Sequence, residues 1–211
     1  MRYCACIGNF DGVHLGHQKL IRETVECARQ YNLIPAAITF DPDPMQYFSD
    51  YKDKILTDSE QKKELLYKYG IEEVLLFPFD DVIANMADSD FVHFVLNEME
   101  IHTLLCGEDF SYGKNGKGNP DKLKNDPDKN FTVRIVSDLK IDDEKISSTR
   151  IRQLISNGEI EKAVSLLGHD YTITSSNNVL PPAGRYLTSE GKEYKFNPSA
   201  KIRTLNLLKE L

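Results

Sequence analysis

Short apolar runs alternate with amphipathic helical patterns along most of this chain, and that alternation leaves few folds open. Tyr3 to Gly8 reads as a strand, and Gly16 to Tyr31 as a helix with Leu20, Ile21, Val25 and Ala28 on one face. Ile34 to Phe40 reads as a second strand, stopped by Pro42 and Pro44. Asp58 to Tyr69 is helical and ends at Gly70, and Glu73 to Phe77 is a third strand. Asp88 to Met99 is helical with Phe91, Val92, Val95 and Leu96 inward, and strands follow at Thr103 to Cys106 and Phe131 to Val136. Strands separated by helices pair in parallel through right-handed crossovers, and their near-continuous apolar character fits burial on both faces. The expected fold is a doubly wound α/β sheet. Ligands of such sheets bind beyond the carboxyl ends of strands, here just after Gly8, Phe40, Phe77 and Gly107.

The rest of the chain breaks this rhythm. Ser111 to Asp128 is rich in Gly, Lys, Asn, Asp and Pro and reads as a mobile loop. After Ser147 two short helices are split by Gly158 and closed by Gly168. From Asp170 onward come Ser, Asn, Pro and Gly turns, with a closing helix expected over Ser199 to Leu211. The division expected is a domain over 1–168 and a tail over 169–211.

Composition narrows the function classes. The 211 residues carry a formal net charge of -7, which argues against a nucleic-acid or anionic-membrane partner. No apolar run approaches the roughly 20 residues of a membrane span, and no signal-peptide pattern follows Met1, so a cytoplasmic location is expected. The four cysteines lack metal-ligand spacing. Cys4 and Cys6 share one strand face and read as small buried hydrophobes. No protein metal site is expected.

Chemistry concentrates in two segments. Gly8-Asn9-Phe10-Asp11-Gly12-Val13-His14-Leu15-Gly16-His17 lies where the first strand ends and the first helix begins. Its glycines let the backbone approach a ligand, and free N–H groups with the helix dipole favour an anion. Two imidazoles at that helix mouth suit the phosphates of a nucleotide. Asp11 reads equally as a turn residue or as a group orienting the histidines or a hydrated metal. The second segment, Ile146-Ser147-Ser148-Thr149-Arg150-Ile151-Arg152, also opens a helix. One hydroxyl would cap it; three hydroxyls and Arg152 suit terminal phosphates.

Together, His-x-Gly-His and Ile-Ser-Ser-Thr-x-x-Arg resemble the nucleotidylyltransferase superfamily, whose sheet is Rossmann-like. Within it, Gly8 to Gln18 is similar to the FMN adenylyltransferase module of bacterial bifunctional riboflavin kinase/FAD synthetases. Thr39 to Pro44, Leu56-Thr57-Asp58 with Lys63, Pro78-Phe79-Asp80, Gly107 to Gly113 and Arg150 to Gly168 extend the resemblance over about residues 3–171. The resemblance implies that FMN and ATP are the substrates, with Mg²⁺ accompanying ATP. It implies ATP contacts at Gly8, Asn9, Phe10, Asp11, Gly16, Gly107, Ser147, Ser148 and Thr149, and catalytic roles for His14, His17 and Arg152. FMN contacts are expected at Phe40, Pro42, Asp43, Asp109, Phe110 and Tyr112.

Two positions depart from the family pattern. Asp43 stands where the family has His, and Ser111 where it often has Arg. A carboxylate near the FMN phosphate calls for a compensating cation, for which Lys114 and Lys117 are candidates. The family's kinase motif Gly-Phe-Pro-Thr-Ala-Asn is absent, so riboflavin phosphorylation is not expected, although Val179 to Gly184 is weakly similar to part of the kinase barrel. Two other readings stay open: an adenylyltransferase with a different phosphorylated acceptor such as pantetheine phosphate, and a non-catalytic paralogue that binds nucleotide or flavin.

Overall fold

The computed structural model describes residues 2–48, 55–175, 178–198 and 205–210. A five-stranded parallel sheet forms its centre: β1 (Tyr3–Ile7), β2 (Ile34–Asp41), β3 (Glu73–Pro78), β4 (Ile101–Gly107) and β5 (Thr132–Val136), in the order β3-β2-β1-β4-β5. The chain runs outward from β1 to β3, then crosses back to lay β4 on the other side of β1. The order reverses between β1 and β4, and the crevice of a doubly wound sheet opens there. The fold is the expected nucleotidylyltransferase-like α/β sheet, with further strands at its C-terminal end.

Both faces of β1 are covered, as its sequence requires. Tyr3, Ala5 and Ile7 join Ala36, Ile38, Phe40, Leu104 and Cys106 on one face. Cys4 and Cys6 join Ala37, Leu105 and helix α1 (Leu15–Tyr31) on the other, where Leu20, Ile21, Cys27 and Ala28 are buried. All four cysteines are free and buried, and burial pushes the Cys4, Cys6 and Cys106 thiols up to about 12. Asn32, in the left-handed region, closes α1 by donating its N–H to Ala28. After α2 (Pro44–Phe48), α3 (Ser59–Lys68) starts on a full capping box, Asp58 and Gln61 each bonding the other's backbone N–H. Past α4 (Asp81–Asn85), α5 (Asp88–Phe91) runs into a π turn over Val92–Leu96, which keeps Phe91, Val92, Val95 and Leu96 all buried.

Two expectations are corrected. Ser111 to Asp128 holds a 3₁₀ turn at Lys114–Gly116 and helix α6 (Pro120–Asn125). Asn119 caps that helix by accepting the Lys122 N–H, Pro120 starts it, and Leu123 is fully buried, so most of this stretch is anchored. The closing helix is also overturned, because Leu205–Glu210 is a strand; residues 199–204 and 211 of that expectation lie outside the described residues. Leu, Lys and Glu favour helix locally, but pairing with neighbouring strands overrides that preference.

The C-terminal strands β8 (Tyr171–Ile173), β9 (Gly184–Thr188), β10 (Glu193–Phe196) and β11 (Leu205–Glu210) form an antiparallel sheet in the order β10-β9-β11-β8. Tyr171, Tyr186 and Leu207 share one core with α7 (Ser148–Ser156) and α8 (Ile160–Leu167), through Ile151, Ile155, Ile160 and Leu166. Between the two sheets, a two-residue turn joins β6 (Lys140–Ile141) to β7 (Glu144–Lys145).

Gly168 ends α8 at φ 73°, and a Cβ there would lie 2.5 Å from Leu15 Cδ2 at the start of α1. Gly191 has a similar φ of 75° but nothing within 4 Å. Gly168→Ala should lower unfolding free energy by about 2–3 kcal/mol and Gly191→Ala by about 1 kcal/mol. Urea denaturation with unchanged m-values checks this, and equal losses would show that the contact with Leu15 is unimportant.

Candidate active site

The loop from Gly8 to His14 leaves β1 through strained backbone. Phe10 has φ 53° and Val13 φ 35°, beside Gly12 at φ 78°. Non-glycine residues stay in that region only when their surroundings over-determine them. Here they do. Gly12 N–H donates to Thr57 Oγ1, and Gln18 Nε2 donates to the carbonyls of Val13 and Leu167. The Asp11 Oδ1 accepts from the N–H groups of Leu56 and Thr57 at 2.9 and 3.0 Å. Its Oδ2 pairs with Arg152 Nη2 at 2.5 Å, and its carbonyl accepts from Ser148 Oγ at 2.9 Å. Asp11 is therefore more than a turn residue: it ties the two sequence motifs together.

That network fixes the imidazoles. The rings of His14 and His17 stack with centroids 3.7 Å apart. His14 Nδ1 accepts the backbone N–H of His17 and so caps α1, which leaves its proton on Nε2. Burial pushes His14 down to about 4, against a partial upward pull from Asp109. Burial also holds His17 well below the usual imidazole range, helped by His14, Lys62 and Lys145. Both rings are neutral at neutral pH. Behind them Phe10 is fully buried, its ring edge-on to His17 at 5.3 Å.

The second motif opens α7 against the same loop. Ser147 caps the helix by accepting the Arg150 N–H, Ser148 holds Asp11, and Thr149 lies in the first turn. Arg150 turns away to Glu144 at 3.0 Å, while Arg152 points to Asp11.

One cavity of about 700 Å³ collects these groups. Its wall includes every expected site residue except Phe10 and Pro42. The Phe10 side chain fills the core beneath His17, and Pro44 lines the wall where Pro42 was expected. Phe40, Phe110 and Tyr112 line the apolar arm, with Phe110 and Tyr112 stacked at 5.6 Å. Met45, Phe48 and Phe79 complete it and are not expected from the sequence, where Met45 and Phe79 sit beside prolines and Phe48 beside Ser49, so that each looks like surface.

The compensating cation for Asp43 is neither Lys114 nor Lys117. Asp43 is buried, with Oδ1 accepting the Met45 N–H and Oδ2 lying 3.9 Å from Nζ of Lys62, itself buried. Burial raises the Asp43 carboxyl above its ordinary range, opposed by Lys62. Its Oδ2 and His17 Nδ1 are both buried without a hydrogen-bond partner. A second missed residue, Lys145, lines the cavity between Asp109 and Asp138. A lone lysine in a sequence reads as solvated, and only the fold brings these two to the site.

Comparison with known proteins agrees with this geometry. A family model described as FAD synthetase matches residues 2–150. A bifunctional riboflavin kinase/FMN adenylyltransferase of Listeria monocytogenes is 38% identical over 79% of this chain and 54% of its own length. The protein of the same description from Bacillus subtilis is 34% identical over 79% of this chain and 54% of its length, so the chain spans about half of these relatives. A Listeria monocytogenes FAD synthetase is 30% identical over 88% of this chain and 80% of its length. A solved Streptococcus pneumoniae structure described as a macrolide-efflux protein matches all of this chain and 86% of its own with a TM-score of 0.83; at 23% identity that likeness concerns the fold. With residues 2–150 of its 211 matched by the family model, this chain belongs to the FAD synthetase family.

Proposed function

We propose that the chain is an FMN adenylyltransferase, joining AMP from ATP to FMN to give FAD and pyrophosphate. The observation that carries this reading is the Asp11–Arg152 pair, which brings both phosphate-type motifs to one cavity with an apolar arm beside it. The activities by which its relatives are described support it.

A phosphate oxygen of FMN attacks the α-phosphorus of ATP in line, and the bond from that phosphorus to the β-bridging oxygen breaks. The nucleophile is already ionised, so positioning and charge stabilisation dominate. His14, with its proton on Nε2, and His17 donate to phosphate oxygens that gain charge. Ser147, Thr149 and Arg152 hold the leaving pyrophosphate, and Gly8, Gly16 and Gly107 let the nucleotide lie against backbone. The flavin ring rests in the arm of Phe40, Phe110 and Tyr112.

Among the described residues no group of three or more His, Cys, Asp or Glu could hold a metal on its own. Mg²⁺ fits as an ion carried in by ATP and held mainly by phosphates and water. The Oδ2 of Asp43, buried without a hydrogen bond and 3.9 Å from the Lys62 ammonium, is a protein oxygen that could join it. When bound, the ion offsets phosphate charge. The tail over 169–211 is read as an appendage whose sheet braces α7 and α8.

Purified protein with ATP, Mg²⁺ and FMN should yield FAD and pyrophosphate in equal amounts, with the flavins separated by chromatography. Riboflavin lacks the attacking phosphate and should give no adenylylated product; if pantetheine phosphate is used in preference to FMN, the acceptor reading is wrong.

His17→Ala should lower kcat by roughly 10²–10³ with a small change in ATP affinity. Arg152→Ala should raise the KM for ATP and also cost about 3 kcal/mol in stability, because it leaves the buried Asp11 unpaired. Near-normal turnover in both would reduce these residues to scaffolding.

The pH dependence follows from His14. Its folded value of about 4 lies below the ordinary 6.5, so between those values the unfolded chain binds a proton that the folded protein does not. Its contribution to stability is therefore fully present above about pH 6.5 and is lost as pH falls toward 4. That loss amounts to about 3 kcal/mol across the interval. Denaturant titrations at pH 7, 6 and 5 should show a shallower decline for His14→Gln than for the parent; parallel declines would place the titrating group elsewhere.

A further inference from the structure

Lys145 is the cation of the cavity wall to which neither sequence motif assigns a role. Four carboxylates line the cavity, Asp11, Asp43, Asp109 and Asp138, against two permanent cations, Arg152 and Lys145. Arg152 is bonded to the buried Asp11, and the two imidazoles are neutral. With Asp11 paired to Arg152 and Asp43 facing Lys62, the remaining carboxylates Asp109 and Asp138 share Lys145, so a polyphosphate entering this space gains that cation only by exchange with them.

The surroundings of Lys145 suit such an exchange. Its Nζ lies 2.7 Å from Asp109 Oδ2 and 2.9 Å from Asp138 Oδ2. Asp138 is fixed, its N–H donating to Glu108 Oε2 at 3.0 Å. The Asp109 side chain is 71% exposed, and an ion pair with so hydrated a carboxylate is weak and readily exchanged. The Lys145 charge reaches the reacting groups, since it depresses both His14 and His17. It also sits directly before the Ile146-Ser147-Ser148-Thr149 segment, on the cavity side of the α7 N-terminus.

The hairpin that carries it is built for placement. Asp142 and Asp143 both have positive φ, 55° and 60°, the combination that a tight two-residue hairpin turn demands. Those strained acids allow the chain to reverse between Lys140 and Lys145, and Ile146 N–H then bonds back to the Leu139 carbonyl at 3.0 Å. The hairpin delivers Lys145 to the cavity and Glu144 to Arg150.

We propose that Lys145 is a nucleotide-binding residue, its ammonium leaving Asp109 for the polyphosphate of ATP when the nucleotide enters. Phosphate oxygens carrying several charges in a partly dry cavity are stronger partners than a solvated carboxylate. The exchange also moves positive charge toward the oxygens that leave as pyrophosphate. This rests on the reading that ATP occupies the cavity.

Calorimetric titration with MgATP tests it, since binding needs no acceptor. Lys145→Met should weaken ATP about tenfold or more, and Lys145→Arg should restore most of the loss. The FMN dissociation constant and the melting temperature without nucleotide should stay as in the parent, because the Lys145 side chain is one-third exposed and outside the core. Unchanged ATP affinity in Lys145→Met overturns the proposal, as does a loss shared equally by ATP and FMN. A parent protein that binds ATP but makes no FAD refutes the acceptor assignment alone, and the ATP affinities of the two variants then still decide the role of Lys145.

Discussion

The pairing of Asp11 with Arg152 joins residues 141 positions apart, and the arrangement of the site depends on it. The glycine-rich turn after β1 holds Phe10 and Val13 at positive φ with their side chains fully buried, and its backbone needs a polar restraint as well. Asp11 supplies that restraint from both oxygens, one taking the backbone of the segment before α3 and the other the guanidinium from α7. The same contact sets the distance between the histidine pair and the hydroxyls at the α7 N-terminus. A desolvated ion pair of this kind adds little net stability compared with apolar packing, yet breaking it leaves an uncompensated charge. It therefore acts as a registration device between two halves of the chain.

Much of this was legible in the sequence because it is local. The strand and helix periods of residues 3–136 need only a window of a dozen residues, and the parallel sheet follows from their alternation. The two motif segments announce themselves by residue type at helix starts, and the switch point between β1 and β4 falls where those motifs lie. Nearly all the residues expected at the site from the sequence therefore line the cavity.

What the sequence concealed is non-local. Leu205 to Glu210 has helix-forming residues, and only its partners in β8 and β9 make it a strand. Helix α6 buries only Leu123 besides its first residue, Pro120, so its hydrophobic period is too faint to register, although Asn119 and Pro120 mark its start. Lys62 and Lys145 look like solvated charges until the fold sets one against Asp43 and the other between Asp109 and Asp138. Phe10 differs in the opposite sense, a motif member whose side chain packs in the core instead of lining the cavity.

The C-terminal sheet shares its apolar face with α7 and α8, and that continuity makes them a common cooperative unit. Fluctuations that open Tyr186 or Leu207 must loosen Ile151 and Ile155 as well, and with them the helix whose first turn lines the cavity. The breathing of a remote β-sheet thus sets an upper limit on how long that part of the cavity wall stays assembled. Amide exchange at the base of α7 would follow the opening of β9 and β11 rather than that of the central parallel sheet.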